Sequence, residues 1–209
     1  IRTILLSHLH FDHIQGLPTL ADNIADLDHH PVTIATLPSV LDGLRSFVFN
    51  DQVYPNFFAL PSQQQPAFVS SPLQPEVEYR FGALEVTPIQ VHHTVPTVGF
   101  LVKEGDTSVL YSGDTGPTNR IWEIAARERT LKALFIETSF PNELADLAGI
   151  SQHLTPALLA TELKKLGRTD VPLYVYHLKP RHRDRIRQQL TDLTYPNLTV
   201  VEEGQIISL

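Results

Sequence analysis

The sequence has no cysteine, no methionine and no long apolar run. Without cysteine the chain can form neither a disulfide framework nor a thiolate zinc site, and it has no cysteine nucleophile. No stretch of about 18 apolar residues is present, so we expect no membrane-spanning helix. Basic residues are also scarce, because 16 Lys and Arg face 23 Asp and Glu. The resulting net charge of −7 argues against broad binding to nucleic acid, which needs clustered positive charge.

The beginning of the chain lacks the features of a secretory signal. Residues 1–7 have no basic segment and no cleavage site, which favours a cytoplasmic location unless a lost N-terminal segment carried a signal. Methionine is missing even at position 1. We therefore expect a processed, trimmed or fragmentary chain.

The length and the hydrophobic pattern predict a layered α/β protein. The chain has 209 residues, of which 42% are hydrophobic, and this suffices for one full core. Short apolar strands alternate with amphipathic segments, which is typical of sheets covered by helices. We predict one domain over residues 1–209.

Histidine is abundant, with ten in the chain, and the most informative cluster follows an apolar strand over residues 3–7. It reads His8-Leu9-His10-Phe11-Asp12-His13. Alternation along an extended chain would place His8, His10 and Asp12 on one side, with a turn at Asp12-His13. Imidazoles and a carboxylate at this spacing suit zinc or a similar divalent ion. The alternative is a solvated histidine-rich loop.

Further candidate ligands follow later strands, where α/β folds expose functional groups. His92-His93 follows the predicted strand 84–91, Asp114 lies in a Ser-Gly-Asp-Thr-Gly segment after the strand ending at Tyr111, and His177 follows the predicted strand 173–176. Each residue alone could be an ordinary polar side chain. Their joint occurrence in chain order predicts a metal site.

The series H-x-H-x-D-H, a middle histidine, S-G-D-T-G and a late histidine resembles the metallo-β-lactamase superfamily. The resemblance implies an αββα sandwich of two mixed sheets flanked by helices, here without the opening N-terminal strands. It also implies two divalent ions that share Asp114. The first would be held by His8, His10, His93 and Asp114, and the second by Asp12, His13, Asp114 and His177. His93 is preferred to His92 because related phosphodiesterases have this ligand six residues before a Gly-aromatic pair, here Gly99-Phe100.

Later motifs resemble the class II cyclic-nucleotide phosphodiesterases of that superfamily. They are Glu137-Thr138-Ser139-Phe140-Pro141-Asn142, His153-Leu154-Thr155-Pro156 and His177-Leu178-Lys179-Pro180. The resemblance implies hydrolysis of a 3',5'-cyclic nucleotide, cAMP or cGMP, to the 5'-monophosphate by a hydroxide that bridges the metals. It makes His153 the candidate general acid, oriented by Glu137, and gives Asp12 a catalytic role beside its ligand role.

Substrate contacts are expected from the aromatic loop over residues 50–61. Its Tyr54, Asn56 and Phe57, together with Phe58, could stack on a purine or bind its edge, or could simply pack. The basic stretch from Arg181 to Arg187 could attract the anionic substrate or form the solvated face of a helix. A homodimer is expected from the resemblance. Zinc is the favoured metal, although imidazole and carboxylate ligands suit iron and manganese equally.

Two other functions stay open. RNase Z, the tRNA 3'-processing endonuclease, has H-E-A-T and H-S-T segments that resemble Glu137-Thr138-Ser139 and His153-Leu154-Thr155. The acidic charge and the lack of a Lys-rich arm count against it. A noncatalytic metal-binding protein on the same fold is the third candidate.

Four local predictions can be checked against the structure. A helix is predicted over 14–27, and a cap at Thr155-Pro156 should begin a helix that Gly167 ends. Residues 63–75 are predicted to be mobile or held extended by proline. Residues 199–201 and 205–208 are predicted to pair as a hairpin.

Overall fold

The computed structural model describes residues 1–25 and 30–209. Its tertiary contacts divide the chain into two compact units, Ile1–Gln74 and Pro75–Leu209. Each unit has a sheet and a hydrophobic core of its own. That the whole chain acts as one hydrolase domain stays a prediction.

The first unit is built on a sheet of three parallel strands, which in sheet order are β1 (Thr3–Leu5), β2 (Val32–Thr36) and β3 (Phe68–Pro72). Its helices are α1 (Phe11–Ile14), α2 (Gly16–Ala25) and α3 (Pro38–Gly43), the last continued by a π-helical turn over Leu44–Val48. The central strand β2 is almost entirely buried, as its run of apolar and β-branched residues predicts. The cluster that begins at His8 therefore follows a strand, as predicted.

An aromatic group fills the core of the first unit. The Phe49 ring is fully buried and makes edge contacts with Phe57, Phe58 and Phe68 at centroid distances of 5.6 to 6.5 Å. Edge-to-face packing of this kind adds to the free energy gained from burying the rings. The aromatic loop over residues 50–61 is held against its own unit in this way.

One prediction for the first unit needs correction, and for another the structure decides between two alternatives. The predicted helix 14–27 begins earlier and is divided into α1 and α2 at Gln15, while its predicted end at Leu27 lies outside the described residues. Residues 63–75 contain the strand β3, in which Phe68 pairs with Val32 and is fully buried. The extended alternative is therefore right for this part, because burial of Phe68 and ladder hydrogen bonds stabilise the strand.

The second unit is built on a mixed sheet of seven strands in the order β10-β9-β8-β7-β6-β5-β4. The antiparallel strands are β4 (Tyr79–Phe81), β5 (Leu84–Gln90), β6 (Val98–Glu104) and β7 (Thr107–Tyr111). The strands that continue the sheet in parallel from β7 are β8 (Leu131–Glu137), β9 (Leu173–Tyr176) and β10 (Leu198–Val200). The helices are α4 (Arg120–Arg127), α5 (Ala145–Ser151), α6 (Pro156–Leu166) and α7 (Arg183–Thr191).

Helices α4, α6 and α7 bury apolar residues in the core of the second unit. The fully buried Trp122 of α4 packs in one cluster with Leu134 of β8 and Leu159 of α6. The Trp122 indole also donates to the buried carboxylate of Glu162 at 2.8 Å, so its polar nitrogen has a partner inside the protein. Strand β8, whose carboxyl end carries Glu137, is therefore packed firmly in the core of the second unit.

The predicted C-terminal hairpin is wrong. Residues 205–208 form no strand, and β10 instead pairs in parallel with β9. The free edge of β9 accepts the backbone of β10, and Leu198 and Val200 pack against the core of the unit. The smaller sheet also differs from expectation, because it is wholly parallel rather than mixed.

The predicted α/β class with two sheets flanked by helices is confirmed. In the described ranges, no helix combines the length and the apolar character required to cross a bilayer.

Candidate metal centre

The first group of candidate ligands, called here the N-terminal histidine cluster, consists of His8, His10, Asp12 and His13. His10 is extended with φ −62° and ψ 145°, and α1 begins directly after it. Because the chain then turns helically, His13 comes back beside His8, with ring centroids 4.1 Å apart. The rings of His8 and His10 lie 4.7 Å apart.

The position of Asp12 differs from the prediction that it lies on one side of an extended chain with His8 and His10. It lies in the first turn of α1 and is exposed, so it does not continue the extended alternation of His8 and His10. Its Oδ2 atom lies 3.9 Å from His13 Nε2. Three imidazoles and one carboxylate are thus gathered by a strand end and one helical turn, a donor set that fits a divalent ion.

A serine hydroxyl supports the most buried of these rings. His8 is fully buried, and its Nδ1 lies 3.0 Å from Ser7 Oγ. When Nδ1 donates to that hydroxyl, Nε2 carries the lone pair of the ring. Metal-binding histidines commonly have such a partner on their second nitrogen.

The second group, called here the strand-end cluster, consists of His93, Asp114, Glu137, His153 and His177. Strands β5, β7, β8 and β9 all run in one direction, so their carboxyl ends lie at one edge of the sheet. The chain leaves β5 toward His93, β7 toward Asp114 and β9 toward His177, while Glu137 is the last residue of β8. This is the edge at which α/β sheets normally carry functional groups.

The strand-end cluster contains two overlapping sets of potential ligands. One ligand atom from each of His93, Asp114 and His153 lies within 4.8 Å of the others, and the same holds for Glu137, His153 and His177. His177 Nε2 also lies 3.4 Å from Asp114 Oδ2. Asp114 is almost fully buried, so its carboxylate is held in a low-dielectric environment that favours a nearby cation.

Backbone geometry at the strand ends explains the presence of two glycines, and one histidine there has an unusual conformation. Gly113 precedes Asp114 with a φ of 64°, a conformation that glycine adopts without strain. A Cβ on Gly99 would lie 2.5 Å from the Tyr111 carbonyl oxygen, so only glycine lets β6 approach this turn. His177 itself has a φ of 64°, which is uncommon for a residue with a side chain.

The structure separates His93 from its neighbour His92. The His93 Nδ1 atom donates to the Gln152 carbonyl at 3.0 Å, which leaves the Nε2 lone pair for a metal. The His92 side chain is exposed and belongs to neither set of potential ligands. The geometry therefore favours His93, the residue chosen from the Gly99-Phe100 spacing.

Glu137 forms a buried pair with His153. Its Oε1 accepts from His153 Nδ1 at 2.6 Å, and the carboxylate is fully buried. It also accepts hydrogen bonds from Ser139 Oγ at 3.0 Å, Thr115 N at 3.2 Å and Leu154 N at 3.4 Å. Burial, followed by the nearby Asp114 charge, raises the pKa of Glu137 to about 8. Strong perturbation of this kind is typical of functional sites.

The His153 ring lies between two other imidazoles. Its centroid is 5.0 Å from that of His93 and 5.6 Å from that of His177. Because Glu137 binds Nδ1, Nε2 is the nitrogen left to act on a ligand, a metal or a proton. This geometry suits either a proton donor or an additional ligand.

The predicted substrate residues have internal contacts in the first unit. Phe57 is buried against Phe49, and the Tyr54 hydroxyl donates to the Asp22 carboxylate. Asn56 Oδ1 accepts from the Phe58 backbone N–H at 3.2 Å. These contacts show that the loop packs within the first unit. A role for the loop in substrate binding stays a prediction.

The basic stretch has acidic partners. Arg183 and Arg187 both pair with Glu202, and Arg185 pairs with Glu143. These ion pairs support the interpretation of this stretch as a solvated helix face rather than as a site for an anionic substrate.

Two residues that contact the strand-end cluster, Ser139 and Gln152, were given no role from the sequence. Ser139 was part of a motif, yet its contacts with Glu137, His153 and His177 are visible only in the fold. Gln152 acts through its backbone carbonyl, which leaves no signal in residue type.

Residues 1–177 match the family model described as the beta-lactamase superfamily domain. The chain belongs to this superfamily. A probable 3',5'-cyclic-nucleotide phosphodiesterase from Yersinia pestis is 29% identical over 86% of the chain, which spans 57% of that relative's length. A ribonuclease Z from Ignicoccus hospitalis is 26% identical over 92% of the chain and 75% of its own length. The crystal structure of unliganded yeast PDE1 superposes with a TM-score of 0.84 at 23% identity, over 98% of this chain and 67% of that chain.

Proposed function

We propose that this chain is a metal-dependent phosphodiesterase that hydrolyses a 3',5'-cyclic nucleotide, cAMP or cGMP, to the 5'-monophosphate. The observation that carries the proposal is the buried Glu137–His153 pair beside Asp114 and His177 at one sheet edge. Such a pair suits delivery of a proton to a leaving oxygen. The Yersinia pestis relative is named for this same activity.

The proposed cofactors are two divalent ions, with zinc favoured and iron or manganese also suited to the donors. By the family resemblance, one ion takes His8, His10, His93 and Asp114, and the other takes Asp12, His13, Asp114 and His177. The imidazole and carboxylate donors within each cluster fit such ions. When bound, two such ions lower the pKa of a water and stabilise charge on the phosphate oxygens. In this proposal, Asp12 contributes to catalysis through its place in this ligand set.

His153 is the proposed general acid. Hydrolysis forms a bond between a water oxygen and phosphorus, and breaks the bond between phosphorus and the 3'-oxygen. The departing 3'-oxygen takes the proton from Nε2 of the His153 imidazolium, whose Nδ1–H donates to Glu137 at 2.6 Å. The ring regains a proton from solvent, which takes up the proton that the attacking water gives off. The four hydrogen bonds to Glu137 keep its carboxylate in place, so the His153 ring is oriented before substrate arrives.

Ribonuclease Z activity is the second candidate, supported by the Ignicoccus hospitalis relative of that name. A tRNA substrate carries many phosphates and needs a surface rich in unpaired basic groups. The chain has a net charge of −7, and three arginines of its basic stretch are paired with glutamates. A small cyclic nucleotide makes no such demand, and the proposal therefore takes it as the substrate.

The proposal is tested by supplying 3',5'-cAMP, 3',5'-cGMP and a tRNA precursor separately to the zinc-loaded protein. We expect 5'-AMP or 5'-GMP to form, and expect this product to disappear in His10→Ala. His92→Ala is the matched control, because His92 is exposed and is not one of the proposed ligands.

Cleavage of the tRNA precursor alone would overturn the cyclic-nucleotide proposal in favour of ribonuclease Z. No product from any substrate, with metal bound, would support a noncatalytic metal-binding protein. A homodimer and a cytoplasmic location stay predictions, to be tested by light scattering and by cell fractionation.

A further inference from the structure

Ser139 lies two residues beyond Glu137 and is fully buried. Its backbone is held from both sides, because its N–H donates to the Leu154 carbonyl at 3.0 Å and its carbonyl accepts from Lys179 N at 3.2 Å. The position of its hydroxyl is therefore determined by the strand end and by the two segments that cross it.

The Ser139 hydroxyl touches three members of the strand-end cluster. Its Oγ lies 3.0 Å from Glu137 Oε2, 2.9 Å from His177 Nδ1 and 3.3 Å from His153 Nδ1. A further contact of 3.2 Å joins it to the His177 backbone carbonyl. One buried hydroxyl thus links a proposed ligand, His177, to the Glu137–His153 pair.

The number of available protons decides which groups donate and which accept in these contacts. A serine hydroxyl has one proton to donate, and the His177 carbonyl and the ionised form of the Glu137 carboxylate can only accept. Donation to the charged carboxylate is the stronger bond. Whichever oxygen receives the proton, Oγ is left to accept from His177 Nδ1. This ring must then carry its proton on Nδ1 and its lone pair on Nε2, the atom 3.4 Å from Asp114 Oδ2.

We propose that Ser139 is a positioning residue that holds His177 in the Nδ1-protonated tautomer and connects it to Glu137. One buried carboxylate then orients two imidazoles, His153 directly and His177 through the Ser139 hydroxyl. The inference rests on the proposed function in one respect, since it takes His177 as a metal ligand. Partners of this kind fix ring orientation and raise metal affinity.

The test compares Ser139→Ala with Thr138→Val. Thr138 is also fully buried at the same strand end, but its hydroxyl donates only to the Glu137 backbone carbonyl, at 2.7 Å. Both variants lose a buried hydroxyl, and only Ser139→Ala loses contact with the imidazoles. A purely structural role for Ser139 would make the two variants behave alike.

Two measurements are made that need no turnover. Two-bond 1H–15N spectra of the metal-free protein report the tautomer of His177, and competition with a chromophoric chelator reports zinc affinity. We expect Ser139→Ala to lose the single Nδ1-protonated state of His177 and to bind zinc about 10- to 100-fold more weakly. Thr138→Val should keep both properties, and Ser139→Thr should restore the tautomer.

An unchanged His177 tautomer and unchanged zinc affinity in Ser139→Ala would overturn the inference. If Ser139→Ala does not fold, Ser139→Cys replaces it, because a thiol is a weaker donor and acceptor and should cause a smaller loss of the same kind. Failure of the wild-type protein to hydrolyse any cyclic nucleotide would instead count against the proposed function. Because the spectra are recorded without metal or substrate, the two failures are distinguishable.

Discussion

At the residue scale, the buried carboxylate of Glu137 organises its surroundings through four accepted hydrogen bonds. An ionised carboxylate offers about four acceptor sites, so its capacity is fully used. Desolvation and the neighbouring Asp114 raise its pKa, while the Thr115 N–H and the Ser139 hydroxyl lower it. A buried carboxyl group with this many hydrogen bonds is held in one position, which suits a group that has to orient another.

The first prediction concerns His153, whose replacement by asparagine removes the proposed general acid. We expect the kcat for cyclic-nucleotide hydrolysis to fall by about 10²- to 10⁴-fold, since the leaving oxygen loses its proton donor. Metal content, measured by atomic emission, should stay the same.

His92→Asn is the control for this experiment, because it removes an exposed imidazole next to His93. Loss of bound metal from His153→Asn would show that His153 is a ligand, as its place beside His93 and Asp114 also allows.

His93, Asp114 and His177 could be proposed from the sequence because each follows an apolar strand, whereas Glu137 and His153 were proposed from the family resemblance. The choice of His93 over His92 used the spacing to Gly99, and the contact with the Gln152 carbonyl now supports it. The roles of Ser139 and Gln152 could not be found in this way. One depends on three distant side chains, and the other on a backbone atom that every residue has.

At the element scale, helix α6 begins and ends where local chemistry predicts. The Thr155 hydroxyl accepts from the Leu158 N–H at 3.3 Å, and Pro156 occupies the first turn. Gly167 ends the helix in the left-handed region with a φ of 67°. The Thr155 hydroxyl thus satisfies a backbone N–H that the helix itself leaves without a partner.

The second prediction is that Thr155→Ala lowers the free energy of unfolding by about 1 kcal/mol, the typical cost of losing such a cap. Chemical denaturation followed by circular dichroism measures it. Thr155→Ser keeps the hydroxyl and should change stability far less. Equal losses in the two variants would show that the Thr155 methyl group, and not the cap, is what matters.

The third prediction concerns the contact between the 3-10 turn Asn142–Leu144 and α7. Hydrogen bonds from Arg185, from the backbone of Glu143 and from Gln189 lower the pKa of Glu143 to about 2, whereas the ordinary value is 4.5. A carboxyl whose pKa is lower in the folded state adds stability above pH 4.5, and that stability disappears as the pH falls toward 2. Glu143→Gln should therefore lower the melting temperature at neutral pH, and the difference from wild type should vanish near pH 2.

Thermal unfolding at a series of pH values measures how the difference in melting temperature between wild type and Glu143→Gln changes with pH. Asp146→Asn, on the neighbouring helix α5, removes an exposed carboxyl and is the control. A difference between wild type and Glu143→Gln that persists at the acid end would contradict the ion-pair explanation. The Glu143 side chain is exposed, so we expect a small effect in either case.

At the scale of the whole molecule, two units carry separate cores, and the proposed ligands are shared between them along the chain. His8, His10, Asp12 and His13 belong to the first unit, while His93, Asp114 and His177 belong to the second. If the residues that the family resemblance assigns bind zinc, metal binding should stabilise the folded protein.

The fourth prediction is that zinc raises the melting temperature and that a chelator reverses this change. Zinc at about 100 times its dissociation constant should add about 2.7 kcal/mol of stability. For a chain of this length that corresponds to a rise of about 5–10 °C. Differential scanning calorimetry measures it, and a scan that shows separate transitions for the two units would reveal which one responds.

The matched variants for this experiment are His10→Ala and His92→Ala. Only His10→Ala removes a proposed ligand, so only His10→Ala should reduce the increase in melting temperature that zinc causes. An equal rise in both variants would place the bound zinc somewhere other than the proposed ligand set.

The sequence by itself determined the features that depend on neighbouring residues. The strand of Leu173–Tyr176, the ends of α6 and the position of each candidate ligand after an apolar run follow from local hydrophobicity and capping chemistry. Only the tertiary structure decided that Phe68–Pro72 joins a sheet, that Leu198–Val200 pairs in parallel with β9 and that Ser139 links Glu137 to His177. These outcomes depend on which strand edge is free and which side chains meet when distant segments pack, and such contacts have no signature within a short stretch of chain.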